Sequence, residues 1–170
     1  IIFFMIDLHS HSTASDGEFS PSELVALAIE KNVNVLALTD HDTFDGIEEG
    51  KQAAKNKNIT FIPGIELNIQ RSRGEFHLLG LGIKEPSTSL IKICKELQEG
   101  RLSRNQQIIE KMQQDGFPVN YQELKEMFPT QILGRPHLAA YLVEKKVVKK
   151  RQLAFDKYLG KGRPYYVERR

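Results

Sequence analysis

The sequence is organised around the stretch Ile6-Asp7-Leu8-His9-Ser10-His11. This stretch continues as Ser12-Thr13-Ala14-Ser15-Asp16-Gly17. Its apolar beginning predicts a buried strand. The two histidines are two residues apart and lie on the same side if the extended geometry continues through them. Asp16 follows on a loop that contains glycine, so its carboxylate can turn back towards the imidazoles. This combination of side chains predicts a metal site.

The composition is that of an ordinary globular protein, with 40% hydrophobic and 27% charged residues among 170. A net charge of +2 is too small to imply nucleic-acid binding by itself. The single cysteine, Cys94, excludes a scaffold of internal disulfides. The apolar residues 1–6 are too few for a membrane span and lack the flanks of a signal peptide. We therefore expect a cytoplasmic location, with no membrane partner.

Strands alternate with helices in the first half of the chain. Apolar runs predict strands at 2–8, 33–38, 59–66 and 75–82, and helices are expected at 20–31 and 47–55. The first helix begins with the capping box Ser20-Pro21-Ser22-Glu23. This order predicts an α/β fold with a parallel sheet and crossover helices, in part of a barrel.

The second half of the chain is expected to be helical. Apolar residues at helical spacing predict one long helix over 88–114, which the sequence Gly116-Phe117-Pro118 ends. Shorter helices are predicted at 121–127, 136–146 and 150–158. A helical module is therefore attached to, or inserted into, the α/β framework.

Six histidine and carboxylate side chains lie at the ends of predicted strands or within them. Because chemistry gathers at the C-terminal ends of parallel strands, we interpret them as metal ligands: His9, His11, Asp16, His41, Glu66 and His77. A mixed imidazole and carboxylate set favours manganese, zinc or iron over magnesium. Six ligands exceed one tetrahedral site, so we expect a multinuclear centre bridged by Glu66. Hydrolysis of phosphate esters by a metal-activated water is the chemistry that such a centre suits best.

Three further carboxylates flank the histidines. Asp7, Asp40 and Asp42 are either ligands themselves or hydrogen-bond partners that orient the imidazole rings, and the second role is favoured. For Asp40 and Asp42 a third interpretation is that they only cap a turn.

Five motifs occur together in the first half: His9-Ser10-His11, Ser15-Asp16-Gly17, Thr39-Asp40-His41-Asp42, Gly64-Ile65-Glu66 and His77-Leu78-Leu79-Gly80. In this combination the chain resembles the polymerase and histidinol phosphatase (PHP) superfamily. The resemblance implies a distorted (β/α)7 barrel and a trinuclear centre of divalent metals, with the six residues above as ligands. It also implies that Glu66 bridges two metals in catalysis, while Asp16 and His41 help to hold a further one.

The motifs Gly134-Arg135-Pro136-His137-Leu138-Ala139 and Ala154–Gly160 narrow the resemblance. They are similar to nucleoside 3′,5′-bisphosphate phosphatases that also act as 5′→3′ exonucleases, in which a mostly helical insertion interrupts the barrel. This implies barrel residues 1–86, an insertion over 87–165, and a return to the barrel at 166–170. The substrate would be a small phosphorylated nucleotide or a short oligonucleotide, with no protein partner. Alternatives are a histidinol-phosphatase-like enzyme and a nonenzymatic, nucleic-acid-binding or polymerase-associated module.

Four basic side chains are expected on the substrate side. Arg135 and His137 flank Pro136 where a helix should begin, so a phosphate there would also meet free backbone N–H groups. Arg101 and Arg104 are further candidates, although without the family resemblance solvation of a helix face is the favoured interpretation. The resemblance also implies three later ligands, a histidine and then an aspartate and a histidine, that have no match before Arg170. We therefore expect the sequence to be an N-terminal fragment of a barrel protein.

Overall fold

A computed structural model describes residues 4–69, 76–128, 130 and 132–168 of the chain. It consists of two compact units, Ile1–Leu97 and Gln98–Arg170. The first unit contains β1 (Met5–Ser10), α1 (Pro21–Glu30), β2 (Val33–Leu38), α2 (Ile47–Ala54), β3 (Thr60–Ile69) and β4 (Phe76–Leu81). The boundary between the units falls inside the long helix α3 (Thr88–Gln114). The expected alternation of strands and helices is therefore confirmed.

The four strands form one sheet in the order β1-β2-β3-β4. The pairs β1–β2 and β2–β3 are parallel, as expected for strands joined by crossover helices. The expectation of a parallel sheet is wrong for β4, which pairs with β3 in antiparallel orientation. Only residues 70–75 separate these two strands, and a parallel connection needs a crossover of a dozen or more residues.

The start of α1 is the predicted capping box. Ser20 Oγ accepts a hydrogen bond from the backbone N–H of Glu23, and the Glu23 carboxylate accepts one from the backbone N–H of Ser20. On the inner side of the helix, Val25 and Ala28 pack in a cluster that includes Leu36 of β2. The helix is thereby fixed on the sheet directly after the loop that carries His11 and Asp16.

The prediction that β1 is a buried strand is wrong for the described part of the chain. Ile6 is 53% exposed and Leu8 is 41% exposed. The apolar pattern identified a strand correctly, but β1 lies at an edge of the four-stranded sheet. Burial depends on what packs against an edge strand, which its own sequence does not encode.

The second unit is helical. After α3 come α4 (Tyr121–Met127), α5 (Arg135–Glu144), α6 (Arg151–Ala154) and a π-helical turn (Phe155–Leu159). The predicted long helix and the shorter helices are confirmed. Their apolar faces meet in one core that includes Ile108, Met112, Leu124, Tyr141 and Leu142. The domain limits 1–86, 87–165 and 166–170 stay a prediction.

Candidate metal centre

Glu66 on β3 is the centre of the candidate metal site, and its side chain is only 3% exposed. Its Oε2 atom lies 3.0 Å from Nε2 of His9, 3.0 Å from Nε2 of His11 and 3.3 Å from Nδ1 of His41. Its Oε1 atom lies 2.6 Å from Nδ1 of His77 on β4. One buried carboxylate is thus surrounded by four imidazole rings.

The backbone register brings His41 beside Glu66. His41 follows the end of β2 and forms an isolated parallel bridge with Glu66. The Glu66 N–H donates to the carbonyl of Asp40 at 3.1 Å, and the Asp42 N–H donates to the carbonyl of Glu66 at 2.9 Å. The β2–β3 pairing therefore continues past the end of β2, which is why the polar tip of one strand faces the carboxylate of the next.

The loop after β1 turns sharply and returns Asp16 to the histidines. The Ser12 carbonyl accepts hydrogen bonds from the N–H groups of both Ser15 and Gly17. A side chain at Gly17 would place its Cβ 2.2 Å from the carbonyl oxygen of His11, so this approach requires glycine. The Asp16 carboxylate consequently lies 3.5 Å from Nδ1 of His11 and 3.6 Å from Nε2 of His41.

All six predicted ligands converge. They form three overlapping groups, each with ligand atoms within 4.8 Å of one another: His9, His11 and Glu66; His11, Asp16 and His41; and His41, Glu66 and His77. Imidazole nitrogens and carboxylate oxygens are ligands for divalent transition metals. The donor set therefore fits a divalent metal.

Asp40 holds the loop that carries two of these ligands. Its carboxylate is 1% exposed and accepts hydrogen bonds from the Ser12 N–H at 2.7 Å and from the Ser12 and Ser15 hydroxyls at 2.6 Å each. Burial raises the pKa of Asp40, against the opposing effect of the hydrogen bonds from the two serines. These contacts are to the loop and not to an imidazole nitrogen, so Asp40 fixes the turn between His11 and Asp16.

The other two flanking aspartates differ in burial. Asp42 is buried, has a left-handed backbone with φ of 55°, and accepts a hydrogen bond from the Asn68 N–H at 3.3 Å. Asp7 is exposed and accepts one from the backbone N–H of His9 at 3.1 Å. Asp42 thus contacts the backbone of β3, which carries Glu66, and Asp7 contacts the backbone of β1, which carries His9.

Asn68 is a residue of this site that the motifs did not indicate. It lies opposite His77 in the β3–β4 register, and its Nδ2 is 2.9 Å from Nε2 of that ring. Residues i and i+2 of a strand point to the same face, so Asn68 shares the face of Glu66. That spacing was the available signal, but the strand predicted from the sequence ended at Glu66.

Arg101 and Arg104 belong to the second unit and are buried, at 6% and 5% exposure. The alternative that they only solvate a helix face is therefore wrong. Arg104 donates from Nε and Nη2 to Oδ1 of Asn105, and Asn105 donates to the carbonyl of Leu133 at 2.6 Å. These hydrogen bonds hold the buried guanidinium group of Arg104, as burial of a charge requires.

Arg135 and His137 begin α5, as predicted. The Gly134 N–H donates to Nδ1 of His137 at 2.9 Å, so in the neutral ring the proton is on Nε2. The Arg135 guanidinium lies 5.5 Å from the centroid of the Tyr166 ring, within the range of a cation–π contact. The start of α5 thus combines a guanidinium group with an imidazole N–H donor.

The PHP domain family matches residues 7–167 of this chain, a range that includes all six converging side chains. The chain belongs to the PHP domain family. Its strands, its helices and its cluster of six candidate ligands are those expected for part of a PHP barrel. The predicted fold class is therefore confirmed.

Curated relatives in the family have named activities. The chain is 38% identical to a 5′-3′ exoribonuclease of Haemophilus influenzae and 35% identical to a 3′,5′-nucleoside bisphosphate phosphatase of Chromobacterium violaceum. Each match covers 95% of this chain, and the chain spans 59% and 57% of the two relatives. It therefore covers less than two thirds of either protein.

Two solved structures have the same fold. One is an amidohydrolase from Chromobacterium violaceum, with a TM-score of 0.89 at 34% identity over 97% of this chain and 58% of the other. The second, from Bifidobacterium adolescentis, is assigned as a metal-dependent phosphoesterase, with a TM-score of 0.88 at 27% identity over 98% and 59%. Within the described residues, every helix is too short or too polar to cross a membrane.

Proposed function

We propose that this chain provides the metal centre of a phosphoesterase that acts on a 3′,5′-bisphosphonucleoside or on the 5′ end of a short oligonucleotide. The observation that carries the proposal is the buried Glu66 carboxylate between four imidazole rings. The relatives from Haemophilus influenzae and Chromobacterium violaceum support the substrate class, since their names refer to RNA and to nucleoside bisphosphates.

The proposed ligands hold two or three divalent ions per complete site, with manganese, zinc or iron favoured over magnesium by the imidazole content. These ligands are His9, His11, Asp16, His41, Glu66 and His77. One carboxylate oxygen of Glu66 faces three of the histidines and the other faces His77, so Glu66 is the natural bridge. Asp16 lies near the other edge of His41 and would complete a further ligand group with His11.

A bound divalent metal would supply Lewis acidity that makes a coordinated water a stronger nucleophile and stabilises charge on a phosphoryl oxygen. The chain's own contribution is to hold the ligand atoms in place before substrate binds. Glu66 is shielded from water, and Asp40 fixes the turn on which His11 and Asp16 lie. A rigid arrangement reduces the reorganisation that the reaction would otherwise require.

The start of α5 is the proposed place for a phosphate of the substrate. The His137 Nε2–H can donate one hydrogen bond to a phosphate oxygen, and the Arg135 guanidinium can donate two in parallel. The first backbone N–H groups of a ten-residue helix add donors with favourable dipole orientation. Arg101 and Arg104 would add positive charge that is already desolvated.

The test is hydrolysis by the purified, manganese-loaded protein of three substrates: adenosine 3′,5′-bisphosphate, a 5′-phosphorylated trinucleotide and histidinol phosphate. Release of inorganic phosphate and of mononucleotide is followed separately. We expect turnover of the first two substrates. The variant R135A should have a raised KM with unchanged metal content, because Arg135 lies outside the six-ligand cluster.

Other outcomes would replace the proposal. Preference for histidinol phosphate would make the protein a histidinol-phosphatase-like enzyme. Binding of the trinucleotide with no turnover of any substrate by the metal-loaded protein would favour a nonenzymatic nucleic-acid-binding module.

A further inference from the structure

Charge is divided unequally between the two compact units. Residues 1–97 contain 9 Lys and Arg against 14 Asp and Glu, a net charge of −5, with histidines neutral. Residues 98–170 contain 15 Lys and Arg against 8 Asp and Glu, a net charge of +7. The overall charge of +2 is therefore the sum of an acidic first unit and a basic helical unit. A basic surface attracts polyanions.

Five of the 15 basic residues of this unit lie in one short segment that joins the end of α5 to the start of α6. This segment, which we name the basic loop, contains Lys145, Lys146, Lys149, Lys150 and Arg151. Seven residues span at most about 25 Å even when fully extended, so these five charges lie in one neighbourhood. Several phosphates of a single-stranded nucleic acid could therefore contact these cations within the length of a few nucleotides.

The basic loop is anchored to the core of its unit. The Lys146 and Val147 N–H groups donate to the carbonyls of Val143 and Leu142, and the Val148 side chain is buried. The Leu153 N–H donates to the Lys150 carbonyl where α6 begins. A loop held in this way can present its charged side chains without a large cost in backbone entropy on binding.

Most of the loop's lysines have no acidic partner among the described residues. Lys145 pairs with Glu123 at 2.9 Å. Lys146, Lys149 and Lys150 are exposed, and within the described chain they take part in no ion pair. Their charges are therefore available to an external anion.

We propose that the basic loop binds the phosphate backbone of a single-stranded oligonucleotide. This rests on the proposed function and extends it, because it provides a means to bind an oligonucleotide more tightly than a nucleoside bisphosphate. Lysines contact phosphates as point charges and without base readout, so the binding is independent of sequence and falls steeply with salt.

An anionic membrane fits this surface less well. Peripheral membrane segments combine basic residues with exposed apolar side chains that enter the lipid. Among the described residues from 132 to 168, every large hydrophobic side chain is buried or partly buried. The two valines of the loop, Val147 and Val148, pack against the core of the unit, so the loop offers charge and no apolar anchor.

The experiment measures fluorescence anisotropy of a labelled single-stranded RNA dodecamer, and of DNA of the same sequence, with EDTA present to prevent turnover. The variant K149E/K150E is compared with K55E/K57E, which reverses two exposed lysines of the first unit and so makes the same change in net charge. We expect K149E/K150E to bind at least 10-fold more weakly at low salt. Its slope of log affinity against log salt should decrease by about 0.7 for each lost phosphate contact. The control should lose far less affinity.

Equal losses in both variants, or no loss in K149E/K150E, would overturn the proposal. Binding of the wild-type protein to vesicles containing phosphatidylglycerol more tightly than to RNA would also overturn it. The salt slope of the wild-type protein tests the proposal without any variant, since a slope near zero contradicts phosphate contacts. Turnover of adenosine 3′,5′-bisphosphate should be unchanged in K149E/K150E. RNA binding without any turnover by the metal-loaded wild-type protein would refute the proposed function and leave the basic loop supported.

Discussion

Asn68 and His77 face each other across the antiparallel β3–β4 pair, with Nδ2 of Asn68 2.9 Å from Nε2 of His77. The other ring nitrogen, Nδ1, lies 2.6 Å from Oε1 of Glu66. The imidazole of His77 is therefore held at both nitrogens. Partners that orient a ligating histidine also set which nitrogen carries the proton.

Replacing Asn68 with alanine should weaken metal binding without unfolding the protein. Loss of a partner that orients a ligand costs about 10–100-fold in metal affinity. Isothermal titration with Mn²⁺ measures the change, and nitrogen NMR of the metal-free protein reports the tautomer of His77. The variant N34A removes an asparagine that contacts only the Met5 N–H among its observed hydrogen bonds, and it is the control. Unchanged affinity together with an unchanged tautomer in N68A would contradict this role for Asn68.

Replacing Asp40 with alanine should destabilise the first unit. Three donors, the Ser12 N–H and the Ser12 and Ser15 hydroxyls, would lose their acceptor in a buried place. Because an unsatisfied buried polar group costs about 1–3 kcal/mol, we expect a loss of about 2–4 kcal/mol in the free energy of unfolding. Urea denaturation measures this loss. The exposed neighbour Asp45 supplies the control D45A, and a loss in D40A no larger than in D45A would refute the role of Asp40.

Alanine at Gly17 should disturb the turn that returns Asp16 to His11. The new Cβ would lie 2.2 Å from the His11 carbonyl oxygen, which is backbone and cannot move aside cheaply. We expect weaker metal binding in titration, because displacement of the turn would move the Asp16 carboxylate away from His11 and His41. Thr13 is exposed in the same turn, and T13A should bind metal normally. Equal affinity of G17A and T13A would show that the turn does not position the ligands.

The stability of the helical unit should depend on pH through Glu123. The Tyr141 hydroxyl donates to its carboxylate at 2.6 Å, and this bond, followed by that from Lys145, lowers the pKa of Glu123 below its ordinary 4.5. The same contact and burial raise the pKa of Tyr141 to about 12, with burial the larger cause.

The direction of this pH dependence follows from proton linkage between the folded and unfolded states. A lowered pKa in the folded state stabilises the fold above the ordinary pKa of Glu123, and the stabilisation is lost as the pH falls through the lowered value. The difference in unfolding free energy between wild type and E123Q should therefore be largest near neutral pH and should shrink in acid. Urea denaturation at a series of pH values checks this. A difference that grows in acid would contradict the assigned contact.

The candidate ligands of this site were predictable because each lies within a recognisable strand or in the loop just after one. His9, His41 and Glu66 were identified from polar residues that interrupt apolar runs, and the structure brings them together. The orientation of β4 was not predicted, because alternation of apolar residues does not distinguish parallel from antiparallel pairing. Strand register placed Asn68 opposite His77, and only the paired strands reveal it.

The burial of several side chains could not be predicted from the sequence either. β1 has the composition of a buried strand but lies at a sheet edge, whereas Arg101 and Arg104 have the composition of a solvated face but are buried. In both cases the outcome depends on what packs against the element from elsewhere in the chain. The unequal distribution of charge can be counted from the sequence, but only the structure shows that the boundary between the two units lies at Leu97 and Gln98.

The metal content of the E66Q variant tests the central role of Glu66 most directly. Equilibrium dialysis against Mn²⁺ or Zn²⁺, followed by elemental analysis, gives the number of ions bound per chain. Glu85 is exposed and outside the cluster, so E85Q is the matched control. We expect bound metal in the wild type and in E85Q, and loss of most of it in E66Q. Metal binding by E66Q equal to that of the wild type would contradict the central role of Glu66.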